Sequence, residues 1–184
     1  LKKKITIRFF GKIYAGRKVK NTLIAISNLV NSNNHIHAEF YVDDDFFINY
    51  EELIESFSSI KFLNYLNYSN YLKKLNETSI LILIDIDEAY GNLFFQSKLV
   101  DYLQSYRPIL HIGKSLTYNK NIILKNNGMS CTNDPVEIYK SLLAMLKRLN
   151  KFKPNYNLIE SFSSDKVALK LLKTIENTVN NDCK

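Results

Sequence analysis

Thiols are scarce: among 184 residues only Cys131 and Cys183 carry one, too few and too isolated for a disulfide framework or a zinc site. Long apolar runs are lacking too. Residues 79–84 and 142–145 are far shorter than the roughly 20 residues that span a bilayer. No secretory leader is legible, because Lys2, Lys3 and Lys4 run straight into the strand-like ITIRFF without a small-residue cleavage site. The expected compartment is therefore the cytoplasm. Repeats and low-complexity linkers are missing as well, so residues 1–184 are read as one domain.

What is present suits a packed core: 46% of residues are hydrophobic and 23% charged, which argues against disorder. The net charge of +7 suits an anionic partner, whether nucleic acid, a phosphorylated small molecule or an anionic lipid surface. No basic run exceeds three residues and the basic residues are spread through the helices, so a solvated basic face is the first explanation of the charge.

Strand and helix patterns alternate along the chain. KITIRFF (4–10) has β-branched and aromatic residues in period two and stops at Gly11. NTLIAISNLV (21–30) has helical spacing. HAEFYV (37–42) reads as a strand, with Asp43–Asp45 as turn or cap material. Residues 50–57 read as helix, 60–66 as strand and 71–77 as helix. ILILID (80–85) is apolar on both faces, as a central parallel strand requires. Residues 97–106 predict a helix and RPILHI (107–112) a strand that tolerates Pro108 at its start. NIILK (121–125) and GMSC (128–131) are expected as short strands. Residues 134–149 predict a helix with Asp134 as N-cap and Pro135 at its first position. A last amphipathic helix is expected from about Ser164 to Thr178.

This alternation implies right-handed crossovers and an α/β fold, a Rossmann-like parallel sheet with helices on both faces. Such sheets bind ligands at the carboxyl ends of their strands. The loops to search follow residues 10, 42, 64, 85 and 112.

Three constellations fall there. Asp85 and Asp87 close the apolar strand in DIDEAYG, which resembles the Asp-x-Asp nucleophile motif of haloacid-dehalogenase-like Mg²⁺ phosphatases and the Asp-x-Asp of metal-dependent sugar transferases. Ala89 stands where the phosphatase motif has Thr or Val. The second is Gly11-Lys12-x4-Arg17, a turn between the first strand and first helix that can offer two cations to one anion. Arginine grips a phosphate with two donors and lysine acts as a point charge. The third is Ser97-Lys98-Leu99-Val100-Asp101, where a helix start can hold phosphate while Asp101, one turn on, accepts ribose hydroxyls. The plainer alternative is that Ser97 caps the helix and Asp101 favours its positive end.

Together, FFGKIYAGRKVKNTLIAISNL, KFLNYLNYSNYLKKLNETSILILI, FFQSKLVDYLQSYRPIL and NDPVEIYKSLLAML resemble the C-terminal donor-binding domain of retaining GT-B glycosyltransferases of the group-1 (family 4) class. The matches keep the family's order over nearly the whole chain. The third resembles the family's P-x-K-x-x-E-Y-L…P-I segment, and the Gly11 turn resembles its Gly-Arg-x4-Lys signature with the cations exchanged. The resemblance implies a single GT-B half that binds a UDP- or GDP-linked sugar. In it Gly11, Lys12, Arg17, Ser97 and Lys98 contact the donor diphosphate, Asp101 the ribose, and Tyr65 and Leu66 the nucleobase. It implies no metal or other cofactor and no nucleic-acid partner. The helix near 164–178 would return to an N-terminal domain that supplies the acceptor site. The setting implied is polysaccharide assembly of the O-antigen or capsule type on a lipid-linked acceptor, at the inner face of the cytoplasmic membrane. Leu93 stands where the family's Glu-x7-Glu pair has its first acid, so the family's donor-sugar contacts do not carry over; the resemblance puts the catalytic residue in the N-terminal domain and names none here. Two other readings are a flavodoxin-like interaction domain and the Mg²⁺ phosphatase built on Asp85.

Overall fold

The computed structural model describes residues 4–13, 18–86, 95–113 and 117–182. They form two compact units, residues 1–154 and 155–184. The first is one parallel sheet of six strands in the order β3-β2-β1-β4-β5-β6. The strands are β1 (Ile5–Phe10), β2 (Ile36–Val42), β3 (Ile60–Asn64), β4 (Ile80–Ile84), β5 (Ile109–Ile112) and β6 (Met129–Cys131). Strand order reverses between β1 and β4, which pair directly, so the crevice expected of such a sheet lies beyond the ends of these two strands.

The period-two pattern assigns the faces. Ile7, Phe9, Phe40, Ile82 and Leu110 form one buried cluster with Leu23 and Ile26 of α1 (Lys20–Asn31) and Leu142 of α7 (Pro135–Arg148). The alternate residues face α4 (Tyr68–Asn76), α5 (Lys98–Gln104) and α6 (Tyr118–Lys125). There Arg8 donates to the Lys74 carbonyl at 3.0 Å, and Phe10 meets Tyr102 edge-on with centroids 6.4 Å apart. All five residues of β4 are buried, in keeping with its doubly apolar sequence. Each such side chain contributes about 1.5–3 kcal/mol by leaving water. Arg8, also buried, is matched by Glu39, whose Oε2 lies 2.7 Å from its Nε.

Two short helices, α2 (Asp44–Asn49) and α3 (Glu51–Glu55), follow β2. The Asp134 carboxylate accepts from the Val136 and Glu137 amides with Pro135 at the first turn, as the sequence predicts. In the second unit, α8 (Tyr156–Glu160) and α9 (Ser164–Asp182) are helical; α9 extends the expected element, and α8 was not anticipated.

Residues 121–125 are not a strand. They lie in α6, where Asn119, Ile122 and Ile123 are buried on one face and Thr117 caps the start by accepting from the Lys120 amide at 3.1 Å. Two parallel neighbours need a crossover, and a strand only three residues before β6 leaves none. The helix ends through Asn127 in a left-handed conformation (φ 60°).

Candidate functional site

Above the carboxyl ends of β1 and β2 lies a cavity of about 180 Å³ lined by Phe10, Gly11, Tyr41, Tyr65, Leu66, Tyr71 and Lys98. Four of the residues singled out in the sequence, Gly11, Tyr65, Leu66 and Lys98, therefore meet here. Its walls are aromatic. Phe10 stacks on Tyr41 (centroids 4.8 Å apart) and meets Tyr71 edge-on at 5.1 Å.

Lys98 supplies the cation. Its Nζ donates to the Phe10 carbonyl at 2.8 Å and sits 5.0 Å from the centroid of the Phe9 ring. Gly11 makes room for it: φ is +144°, and a Cβ there would lie 1.8 Å from Lys98 Nζ. The buried Tyr102 hydroxyl holds the same turn, accepting from the Phe10 amide at 3.1 Å and donating to its carbonyl at 3.3 Å.

The remaining predicted residues stand elsewhere. Lys12 does not line the cavity; its Nζ lies 3.0 Å from Asp43 Oδ2 and 2.7 Å from Asp45 Oδ2. Hydrogen bonds from Lys12 to Asp45 and then Asp43 raise the ammonium pKa, so it stays charged. Asp101 lines a separate hollow of about 170 Å³ with Leu72, Asn76 and Gln104. Its Oδ2 accepts from the Tyr71 hydroxyl at 3.2 Å, so it stands behind a wall residue of the cavity. Burial, then the negative surroundings, push the Tyr71 phenol pKa up, so it remains a donor. Ser97 is exposed and makes no side-chain cap bond to α5. Arg17 lies outside the described residues, as do Asp87, Glu88, Ala89 and Leu93.

Asp85 is 2% exposed, at the end of β4. Its Oδ1 accepts from Gln96 Nε2 at 2.8 Å and Asn119 Nδ2 at 3.1 Å, and its Oδ2 lies 2.9 Å from His111 Nε2. His111 Nδ1 lies 2.9 Å from the Ser130 hydroxyl. Burial alone would raise the Asp85 pKa, but the bonds from His111 and Gln96 outweigh it and hold the carboxyl below its ordinary range. A carboxylate so enclosed and so fully bonded is poorly placed to attack a phosphorus atom. It instead ties residue 96, just before α5, to α6 and to the ends of β4 and β5.

Sequence reasoning overlooked Tyr41 and Tyr71, although the spacing contained a signal. Tyr41 shares the face of Glu39 on β2 and bonds it at 3.1 Å. Among the described residues no group of three or more His, Cys, Asp or Glu side chains is placed to hold a metal ion. None of the described helices is long and apolar enough to cross a membrane.

No protein-family model matches the sequence, and no curated protein matches it either. Solved structures do match the fold. One is the C-terminal domain of a glycosyl transferase group 1 family protein (LpcC) from Francisella tularensis, at 16% identity and a TM-score of 0.66, over 87% of this chain and 86% of that one. The pneumococcal O-GlcNAc transferase GtfA, solved with UDP and GlcNAc, matches at 15% identity and a TM-score of 0.70, over 96% of this chain and 36% of that one. UDP-GlcNAc 2-epimerase from Neisseria meningitidis, bound to UDP-GlcNAc, matches at 12% identity and a TM-score of 0.66, over 92% of this chain and 45% of that one. The chain thus spans less than half the length of the transferase and the epimerase. Its first unit is a Rossmann-like α/β domain with helices on both sides of the sheet, the fold of one half of a GT-B glycosyltransferase.

Proposed function

We propose that the Gly11–Lys98 cavity holds part of a nucleotide sugar, and that the chain is the donor-binding half of a GT-B glycosyltransferase. The observation that carries this reading is the meeting of Lys98 with the glycine turn of β1, at the point where strand order reverses. A cavity of about 180 Å³ is small beside the roughly 300–1,000 Å³ of whole-ligand sites, so it takes one ring and leaves the rest of the donor outside.

In this reading the nucleobase lies by Tyr65 and Leu66 and stacks on the aromatic wall. Lys98, Ser97, Lys12 and Arg17 face the diphosphate and stabilise the leaving group without a metal ion. Lys12 reaches it by exchanging its bonds to Asp43 and Asp45. Asp101 reaches the ribose by exchanging its bond from Tyr71, and until then it orients the Tyr71 hydroxyl at the cavity wall. The likeness to UDP-bound proteins favours a UDP-linked donor.

The acceptor site and the catalytic residue belong to an N-terminal domain, toward which α9 would return. Residues 1–184 alone then bind UDP weakly and transfer no sugar. We extend the proposal to a retaining transferase that acts on a lipid-linked acceptor at the inner membrane face, in O-antigen or capsule-type assembly. The excess of basic residues suits an anionic lipid surface.

Calorimetry with UDP and GDP tests donor binding, and Lys12→Ala with Arg17→Ala tests the loop. Each charged hydrogen bond is worth about 1.5–3 kcal/mol, so the double variant should bind at least about tenfold more weakly. Unchanged binding would refute the assignment of the loop. An assay for transfer against epimerisation, run on a chain carrying the second half, separates the two enzyme classes that share this fold.

A further inference from the structure

We propose a second binding site, for a small phosphate ester that carries an apolar group, at the opposite edge of the sheet. Pro108, one residue before β5, and Gly128, one residue before β6, border a cleft of about 600 Å³. It opens at the amino ends of these strands, whereas the Gly11 cavity lies at carboxyl ends. Its size falls within the roughly 300–1,000 Å³ typical of small-molecule sites.

The charge at its rim is one-sided. Lys147 and Arg148 come from the last turn of α7, and Lys151 and Lys153 from the segment after it; no acidic residue lines the cleft. All four side chains are exposed, and none forms an ion pair with a described residue. The ordinary use of such cations is to offset the negative end of a helix, about half a charge each for α6 and α7. Two cations suffice for that. The other two lie past the end of α7 and leave an excess of positive charge that a dianion would relieve.

The floor is apolar. Met129, the buried Met145, Leu149 and Phe152 lie beneath the rim. Asn127, in its left-handed conformation, donates to the Lys153 carbonyl at 2.8 Å and fixes the basic segment across the cleft. Arginine and lysine together favour phosphate, since the guanidinium engages two oxygens and the ammonium adds charge. An apolar substituent on that phosphate would cover the methionines and Phe152. Inorganic phosphate would use only the rim.

Phenyl phosphate is the probe, with inorganic phosphate and benzyl alcohol as controls, titrated into the whole chain and followed by amide resonances. The site predicts saturable shifts at Gly128, Met129 and Phe152, with the amides of Gly11 and Tyr65 unmoved. It predicts affinity for phenyl phosphate at least about tenfold above that of either control, because rim and floor act together. Arg148→Gln with Lys151→Gln should weaken binding at least about tenfold, since both side chains are exposed and charged contacts dominate. Three results would overturn the proposal: no shifts at millimolar phenyl phosphate, inorganic phosphate binding equally well, or undiminished affinity in the double variant.

Discussion

The Lys98 ammonium rests 2.8 Å from the Phe10 carbonyl, in space that any side chain at residue 11 would occupy. Gly11→Ala should therefore act twice. The φ of +144° strains a Cβ-bearing residue by about 1–3 kcal/mol, seen as roughly 2–4 °C of Tm per kcal/mol in a chain of this size. The methyl group also evicts Lys98, so UDP affinity should fall. Lys98→Met should retain most of the stability and lose at least about tenfold in UDP affinity. Thermal melts and calorimetry on the two variants check the pair of effects.

Tyr102→Phe tests the same turn from beneath. The hydroxyl is the partner of both the amide and the carbonyl of Phe10 in a fully buried setting. Its removal leaves a buried N–H without that acceptor, at a cost of about 1–3 kcal/mol. Denaturant unfolding should show a lower midpoint with an unchanged slope.

Asp85 makes stability depend on pH. Its folded pKa is depressed, so its contribution is present above the unfolded value of about 4 and is lost as pH falls through the lower folded value. Asp85→Asn should cost about 3 kcal/mol near neutrality, and the gap from the native sequence should narrow steadily below about pH 4. Unfolding curves from neutral to acidic pH measure it. A gap that stays constant would mean that folding leaves the carboxyl pKa unshifted, and one that widens toward acid would mean that the folded group is protonated.

Lys12 is held by Asp43 and Asp45, which compete with any phosphate for it. Asp45→Asn should therefore raise UDP affinity a few-fold at low salt, and added salt should erase the gain. Calorimetry at two ionic strengths decides between competition and a structural role for the pair.

The sheet was legible because its strands announce themselves: ILILI is apolar on both faces and central, whereas IHAEFYV alternates. Residues 121–125 misled because a short apolar run fits a buried strand and a helix equally; only Asn119 and Asn126, both buried, extend the helical face. Gly11, Lys98, Tyr65 and Leu66 were each singled out by their place after a strand or at a helix start, and they line one cavity. Their convergence was not legible from spacing, since Phe10 and Lys98 are 88 positions apart. The Asp85–His111 contact was hidden in the same way: an aspartate ending a strand reads as an exposed ligand until its neighbours enclose it. Tyr71 in front of Asp101 escaped notice because a tyrosine in a helix is usually packing.

Donor binding at the strand ends is tested most directly by titrating UDP into the isotope-labelled chain and following the backbone amides. The account predicts saturable shifts concentrated at Gly11, Tyr65, Leu66 and Lys98, abolished by Lys98→Met. Absence of binding at millimolar UDP, or shifts confined to residues remote from β1 and α5, would contradict it.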